Sequence, residues 1–344
     1  MLQLREKRTA TRGKCDGVKW TWPSKRRRQC STALRESPKE SHGGEQSKRM
    51  SKRDGAETRS VPSVALQWEQ THGQLGDGAC SVVYDAAVRA GPRWSPQRVA
   101  LKVLRKAEIE RLHKASAVAN ERNVCERICA ELPRSPTLCK LLFTSKDSNR
   151  LFMAFELCEL GDLLQLATSR RGLPPADVLF YTRQLSDALR CLHSIAIIHG
   201  DVKPENCVLS SSDSSLKLTD FDSAADVSDE VSKGEEGRRE HRHIAFSGSF
   251  EYAPPEVLLG GKGVSFTADV YGIGLVVCAA IEGERPDRTC LLSEGESTSY
   301  GVEMPKVLME AREVKELVQE VCKPIEKGRP ATAHGVADRW GQDD

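Results

Sequence analysis

The sequence predicts an α+β fold, because strand patterns predominate between residues 66 and 158 and a long helical pattern follows them. Two strand patterns flank a tight, glycine-containing turn at residues 74–84, and apolar strand patterns recur at Val99–Lys102 and Arg150–Cys158. The next segment, Pro175–Ser194, has the apolar spacing of an amphipathic helix. With 344 residues, the chain is long enough to bury a core and to carry an extension.

Charge is distributed unevenly along the chain. Residues 1–60 contain 17 Lys and Arg against 7 Asp and Glu, and since the whole chain carries a net charge of +2, the remainder carries −8. Residues 1–62 lack helical or strand periodicity, so we expect a disordered basic extension before a domain over residues 63–344. Lys25–Arg28 is a candidate nuclear localisation signal or a contact for nucleic acid or acidic lipid; a solvated linker is the alternative.

Two classes of protein are disfavoured by the composition. The 12 cysteines show neither CxxC nor Cys/His metal spacing, and no signal-like apolar run precedes them, which argues against a disulfide framework or a zinc site. The longest apolar stretches, such as Val270–Ile281, are shorter than the roughly 20 residues that a membrane span requires. We therefore expect a soluble protein of the cytoplasm, the nucleus or both, without a membrane span and monomeric.

The most informative stretch is residues 199–206, HGDVKPEN, which is followed after a short gap by Asp220. It supplies a candidate proton acceptor in Asp201 and a cationic phosphate contact in Lys203. Asn206 and Asp220 are candidate oxygen ligands for metal ions. This set of groups is what magnesium-dependent phosphoryl transfer requires. For Asp201 taken alone, an aspartate that caps a turn is the alternative.

A second group of candidate residues lies upstream. Gly76 and Gly78 allow the backbone of the turn to approach a phosphate without a Cβ clash, although an ordinary glycine-bearing hairpin is the alternative. Lys102 ends an apolar strand pattern, and a lysine in such surroundings needs a buried anionic partner. Glu121 lies 19 residues further on, within a helical pattern, and is the candidate partner; a surface ion pair is the alternative.

In the order of these motifs, the chain from about Leu66 to Trp340 resembles a eukaryotic-type protein serine/threonine kinase. Its pattern is most similar to the AGC-like group of 3-phosphoinositide-dependent protein kinases. The resemblance implies two lobes: a mostly antiparallel β lobe with one key helix at residues 63–157, and a mostly α lobe at residues 158–344. Only 88 residues follow Glu256, so we expect the second lobe to be shortened there.

The resemblance implies ATP and Mg²⁺ as cofactors and a protein serine or threonine as the acceptor. Asp201 and Lys203 become the catalytic residues, and Asn206 and Asp220 the ligands of Mg²⁺. The remaining nucleotide contacts come from the turn, the strands, the hinge and the floor of the cleft: Leu75, Gly76, Gly78, Val83, Ala100, Lys102, Glu121, Glu156, Cys158, Asp162 and Val208. Because Glu205 and Asp162 lie beside the expected substrate channel, we expect substrates that are basic around the acceptor.

Two residues depart from the family pattern. Gly200 replaces the arginine before the catalytic aspartate, and Asp222 replaces the glycine two residues after Asp220. These departures leave a pseudokinase scaffold as the alternative function. In the family, an activation segment carries a phosphoserine that pairs with this arginine and with another before the helix glutamate; residues 249–256 resemble the end of that segment. The phosphorylated serine and the second arginine are Ala245 and Asn120 here, so we expect activity without phosphorylation of the segment.

Overall fold

A computed structural model describes part of the chain in detail, namely residues 59–60, 66–90, 97–228, 247–258, 264–286, 312–322, 329–330, 333 and 336. Lys25–Arg28 and Ala245, which the sequence singled out, lie outside the described residues. The α+β prediction is confirmed: the first lobe is built on one sheet, and the second is mostly helical.

Six strands form the sheet of the first lobe, in the spatial order β1-β5-β6-β4-β3-β2. Their bounds are Arg59–Ser60 (β1), Leu66–Asp77 (β2), Ser81–Ala90 (β3), Gln97–Arg105 (β4), Leu141–Lys146 (β5) and Arg150–Phe155 (β6). All neighbouring pairs are antiparallel except β1 and β5. Strand β1 lies within the segment that we predicted to be disordered. The open edge of β5 pairs with it through main-chain groups, which any sequence can supply.

Two helices of the first lobe are packed against this sheet, α1 (Lys106–Arg111) and α2 (Ala115–Glu131). The buried positions of α2 recur three or four residues apart and so form one face: Val118, Glu121, Val124, Cys125, Ile128 and Cys129. Glu121 is the only charged member of this face, so the helix presents a carboxylate to the interior.

The second lobe contains five α-helices among the described residues: α3 (Leu163–Arg170), α4 (Pro175–Ser194), α5 (Pro255–Leu258), α6 (Phe266–Glu282) and α7 (Arg312–Val321). Helix α4 has the bounds that the sequence predicts, with proline in its first turn, where no amide donor is required. Short strands carry the loops of the cleft: β7 (Ile197–Ile198), β8 (Cys207–Leu209), β9 (Leu216–Leu218) and β10 (Ala225–Asp226). In the described parts of the chain, we find no helix long and apolar enough to cross a membrane.

Helix α6 is the centre of the second lobe, since every residue from Ala268 to Ile281 is buried. Nearby, the guanidinium of Arg329 contacts the Glu256 carboxylate at 2.6 Å and lies over the ring of Tyr271, 4.7 Å from its centroid. The Arg329 side chain is fully buried, so its charge requires such a partner. This pair joins the end of the activation segment to the helical core.

Candidate active site

The roof of the cleft is formed by the hairpin of β2 and β3 and by β4. Val83 faces Lys102 across the β3–β4 ladder, and Ala100 precedes Lys102 by two residues, so the three side chains share one face of the sheet. Leu75 is about half exposed at the end of β2. A Cβ added at Gly76 would meet no atom within 4 Å, so the space beside this turn is open.

A charge network links three elements at the back of the cleft. Lys102 Nζ donates to Glu121 Oε1 at 2.5 Å and lies 3.3 Å from Asp220 Oδ1. Lys102 and Glu121 are 8% and 2% exposed, respectively. Although desolvation opposes it, the charges of Glu121 and Asp220 raise the pKa of Lys102. The lysine is therefore cationic, and it holds β4, α2 and the Asp220 segment together.

The hinge between the lobes follows β6. Glu156 is fixed through its side chain, because Oε1 accepts from the Lys140 amide at 2.8 Å and Oε2 lies 3.2 Å from Lys217 Nζ. Its carbonyl accepts a weak hydrogen bond from the Cys139 thiol at 3.6 Å. A carbonyl oxygen has two lone pairs, so this one can still accept from a nucleotide base. Cys158 is partly buried two residues further on.

The floor of the cleft contains Val208, which is paired with Asp162 through an isolated β-bridge. Asp162 also caps helix α3, since its Oδ1 accepts from the Gln165 amide at 2.8 Å. Burial raises the pKa of this carboxyl group.

Asp201 is buried and held at both carboxylate oxygens. Oδ1 accepts from the Ser249 amide at 2.6 Å, and Oδ2 accepts from Lys203 Nζ at 2.6 Å. Lys203 also donates to the Ser249 hydroxyl at 2.9 Å. Although desolvation opposes it, the hydrogen bond and charge of Lys203 lower the pKa of Asp201. The group is therefore a carboxylate near neutral pH, with a fixed orientation.

Residues 199–206, the catalytic loop, are held in place by Asp269 of helix α6. One of its oxygens accepts from the Gly200 amide and the other from the His199 amide, each at 2.8 Å, and His193 Nε2 lies 2.9 Å away. Gly200 has a positive φ of 79°, and a Cβ there would lie 2.7 Å from the Ser223 carbonyl oxygen. Glycine therefore avoids the backbone strain that a residue with a side chain would have at this position.

The two candidate metal ligands are well suited to magnesium. Asn206 Nδ2 donates to the Asp201 carbonyl at 2.8 Å, which leaves Asn206 Oδ1 without a hydrogen bond among the described residues. Asp220 has a positive φ of 62°, in a turn that brings its carboxylate to Lys102. Amide and carboxylate oxygens are the hard ligands that Mg²⁺ prefers.

Asp222 adds a further carboxylate near these ligands. Its side chain reaches solvent, yet partial desolvation and then the charge of Asp220 raise its pKa. Its charge also contributes to the raised pKa of Lys102. Asp222, which replaces the family glycine, thus makes this side of the cleft more negative, although its side chain does not pair directly with Lys102.

Sequence reasoning missed the contacts between α2 and the start of the activation segment. Asn120 Nδ2 donates to the Ala224 carbonyl at 2.7 Å. Arg127 contacts the Asp226 carboxylate at 2.6 Å and donates to the Ile195 carbonyl at 2.5 Å. Arg127 follows Asn120 by two helical turns, so both side chains lie on the same face of α2. This spacing is the sequence signal for a shared contact with the segment.

Comparison with known proteins decides the family. The profile of the protein kinase domain matches residues 70–341. The chain belongs to the protein kinase family. Among its relatives, the chain is 32% identical over 204 residues to 3-phosphoinositide-dependent protein kinase 1 of Arabidopsis thaliana, covering 59% of this chain and 40% of the relative. The human protein of that name is 31% identical over 214 residues, covering 62% and 35%.

A yeast relative completes the comparison. Serine/threonine-protein kinase PKH1 of Saccharomyces cerevisiae is 30% identical over 236 residues, covering 67% of this chain and 30% of the relative. The chain thus spans well under half the length of these kinases. The predicted similarity to the 3-phosphoinositide-dependent group is confirmed.

Lys102 has two anionic partners whereas Glu121 has one cation, and this asymmetry predicts the effects of substitution. Lys102→Ala leaves Glu121 buried without a cation and should lower the free energy of unfolding by about 3 kcal/mol. Glu121→Gln leaves Lys102 beside Asp220 and should cost only about 1–2 kcal/mol. Urea denaturation of the nucleotide-free chain measures both. Arg111→Ala, at an exposed pair with Glu108, is the control and should change stability by less than about 0.5 kcal/mol. Equal losses for Lys102→Ala and Glu121→Gln would contradict the network.

Proposed function

We propose that the chain transfers the γ-phosphoryl group of ATP to a serine or threonine hydroxyl of a protein. The observation that carries this proposal is the placement of an ionised Asp201 between Lys203 and Asn206, with Asp220 held by Lys102. These groups belong to separate segments of the chain, and the fold gathers them at one cleft. The similarity to serine/threonine-protein kinases supports the choice of acceptor.

Asp201 is the group that receives the acceptor hydroxyl. Asp201 orients the hydroxyl and takes its proton as the oxygen bonds to phosphorus. Lys203, already paired with Asp201, places a positive charge beside the forming bond.

The metal and nucleotide are held by the remaining residues. Asn206 and Asp220 would hold Mg²⁺, which neutralises phosphate charge when it is bound. Lys102 would contact the phosphates, while Leu75, Gly76, Gly78, Val83 and Ala100 cover the nucleotide from above. Glu156, Cys158, Asp162 and Val208 complete the site, and Glu121 keeps Lys102 in place.

The pseudokinase alternative rests on Gly200 and Asp222. Gly200 still donates its amide to Asp269, so the loop keeps the support that orients Asp201. Asp222 leaves the contact between Lys102 and Asp220 in place. Neither substitution removes a group that the proposed reaction uses.

Asp201→Asn should abolish phosphoryl transfer and leave ATP affinity unchanged within about twofold, because the carboxylate acts on the hydroxyl and not on the nucleotide. We expect kcat to fall at least about 100-fold. The measurements are phosphate incorporation into a mixed peptide library and nucleotide titration. Asp187→Asn, at a half-exposed ion pair on α4, is the control and should remain active. Equal incorporation by the wild type and Asp201→Asn would contradict the proposal.

We also propose that activity does not require phosphorylation of the activation segment. Support comes from Asn120 and Arg127, which bind the start of the segment through Ala224 and Asp226 without a phosphate. Gly200 supplies no cation to clamp a phosphate. The segment is thus tied to α2 by neutral and charged groups of the chain itself.

Phosphatase treatment should therefore leave the initial rate unchanged within about twofold. The chain is expressed in bacteria, treated with phosphatase and freed of it, and rates are compared with those of untreated enzyme before phosphate is restored. The Asn120→Ala variant, which loses the Ala224 contact, should lose activity under both conditions. A tenfold loss on phosphatase treatment, equivalent to about 1.4 kcal/mol, would show that a phosphate orders the segment.

We propose further that the protein substrate is basic around its acceptor. Support comes from the carboxylates of Asp162 and Glu205, which are near each other: burial, and also the charge of Glu205, raise the pKa of Asp162. A basic peptide should have a kcat/KM at least about tenfold higher than an acidic peptide of equal length, because like charges in the cleft repel. Equal or better use of the acidic peptide would refute this preference.

The remaining proposals concern the chain as a whole. We propose a kinase domain over residues 63–344, with lobes at 63–157 and 158–344. We propose a monomer of the cytoplasm, the nucleus or both, which the nine free cysteines among the described residues support. Contact of Lys25–Arg28 with nucleic acid or acidic lipid is proposed from charge alone.

A further inference from the structure

Glu205 lies four residues after Asp201 and is already engaged by a cation of the same chain. Arg285 contacts Glu205 Oε1 through two nitrogens, Nε at 3.0 Å and Nη2 at 2.9 Å. Its third nitrogen, Nη1, lies 3.7 Å from the Glu251 carboxylate. One guanidinium thus contacts Glu205, a residue of the proposed substrate path, and lies near the second carboxylate of Glu251.

The backbone that carries Arg285 is held in place. Helix α6 is capped at its C-terminus by Gly283, whose φ is 77° and where a Cβ would lie 2.5 Å from the Gly172 amide nitrogen. The Thr168 hydroxyl donates to the Gly283 carbonyl at 2.7 Å, and Pro286 is buried on the other side. Arg285 therefore projects from a short turn whose two ends are anchored in the lobe.

Glu205 also has an unsatisfied acceptor. Its Oε2 is buried and has no hydrogen-bond partner among the described residues, and the same is true of the Tyr252 hydroxyl. Burial and then the charge of Glu205 raise the pKa of Tyr252, as expected for a hydroxyl that lies beside this carboxylate without a hydrogen bond of ordinary geometry. Because Oε2 is buried, the oxygen of Glu205 that a substrate cation can reach is Oε1, and Arg285 already occupies it.

We propose that Arg285 is a specificity-determining residue that occupies the cation position at Glu205 and weakens the preference for arginine in the substrate. A substrate guanidinium can pair with Glu205 only by displacing Arg285. The Arg285 side chain is 58% exposed and binds only one oxygen of Glu205, so the pair is weak enough to be exchanged. This inference rests on the proposed function only for the identity of the substrate path.

Peptide binding tests the inference without requiring turnover. A parent peptide with one serine among alanines is labelled with a fluorophore, and four derivatives each carry one arginine at one to four positions before the serine. Fluorescence anisotropy of the full chain, with Mg²⁺ and a non-hydrolysable ATP analogue, gives each Kd. For Arg285→Ala, we expect at least one arginine peptide to bind about fivefold tighter than to the wild type, with the parent unchanged.

Three variants separate this role from a structural one or a general charge effect. Arg285→Lys should retain most of the wild-type selectivity, because it keeps a cation at the turn. Arg190→Ala removes an exposed arginine paired within α4 and should leave the selectivity unchanged. In the Glu205→Gln background, Arg285→Ala should produce no gain, since the carboxylate for which the two cations compete is absent.

The outcomes are decisive. The inference is overturned if no arginine peptide gains more than twofold in Arg285→Ala, if the parent gains equally, or if the gain persists with Glu205→Gln. An equal gain in Arg190→Ala also overturns it. Phosphate incorporation is measured in parallel: a wild type that binds peptides but transfers no phosphate refutes the proposed function and leaves the anisotropy result valid.

Discussion

The buried charge of Lys102 is the constraint on which the arrangement of the cleft depends. A lysine that is 8% exposed must be paired, and its partners Glu121 and Asp220 lie on separate elements of the two lobes. Pairing the charge of Lys102 therefore fixes the relative positions of strand β4, helix α2 and the segment that carries the candidate metal ligand Asp220. Desolvation makes the pairing obligatory, and the same cation is the one that a nucleotide phosphate would meet.

A second anchor operates in the helical lobe, where Asp269 accepts from the amides of His199 and Gly200. Both contacts are made by backbone amides and do not use the side chain at position 200, so glycine in place of arginine keeps them. Glycine at this position carries no cation that could pair with a phosphate on the activation segment. Asn120 and Arg127 supply contacts to the segment that need no phosphate.

Local patterns in the sequence were sufficient to predict the elements and the main pairing of the site. Helix α4 has its predicted bounds, and Glu121 falls on the buried face of α2 because apolar residues recur around it at helical spacing. The contact between Arg285 and Glu205 was not predictable, since 80 residues separate them and the contact depends on how α6 ends. Likewise, β1 pairs through its main chain, which leaves no side-chain pattern to detect.

The most direct test of the proposed chemistry is transfer of labelled phosphate from ATP to a mixed peptide library by the purified chain, with and without Mg²⁺. An assembled site built on Lys102, Asp201 and Asp220 predicts labelling of serine and threonine peptides that stops when Mg²⁺ is chelated. Nucleotide binding with no labelled peptide at any Mg²⁺ concentration would contradict it, and would assign the intact charge network to a scaffold.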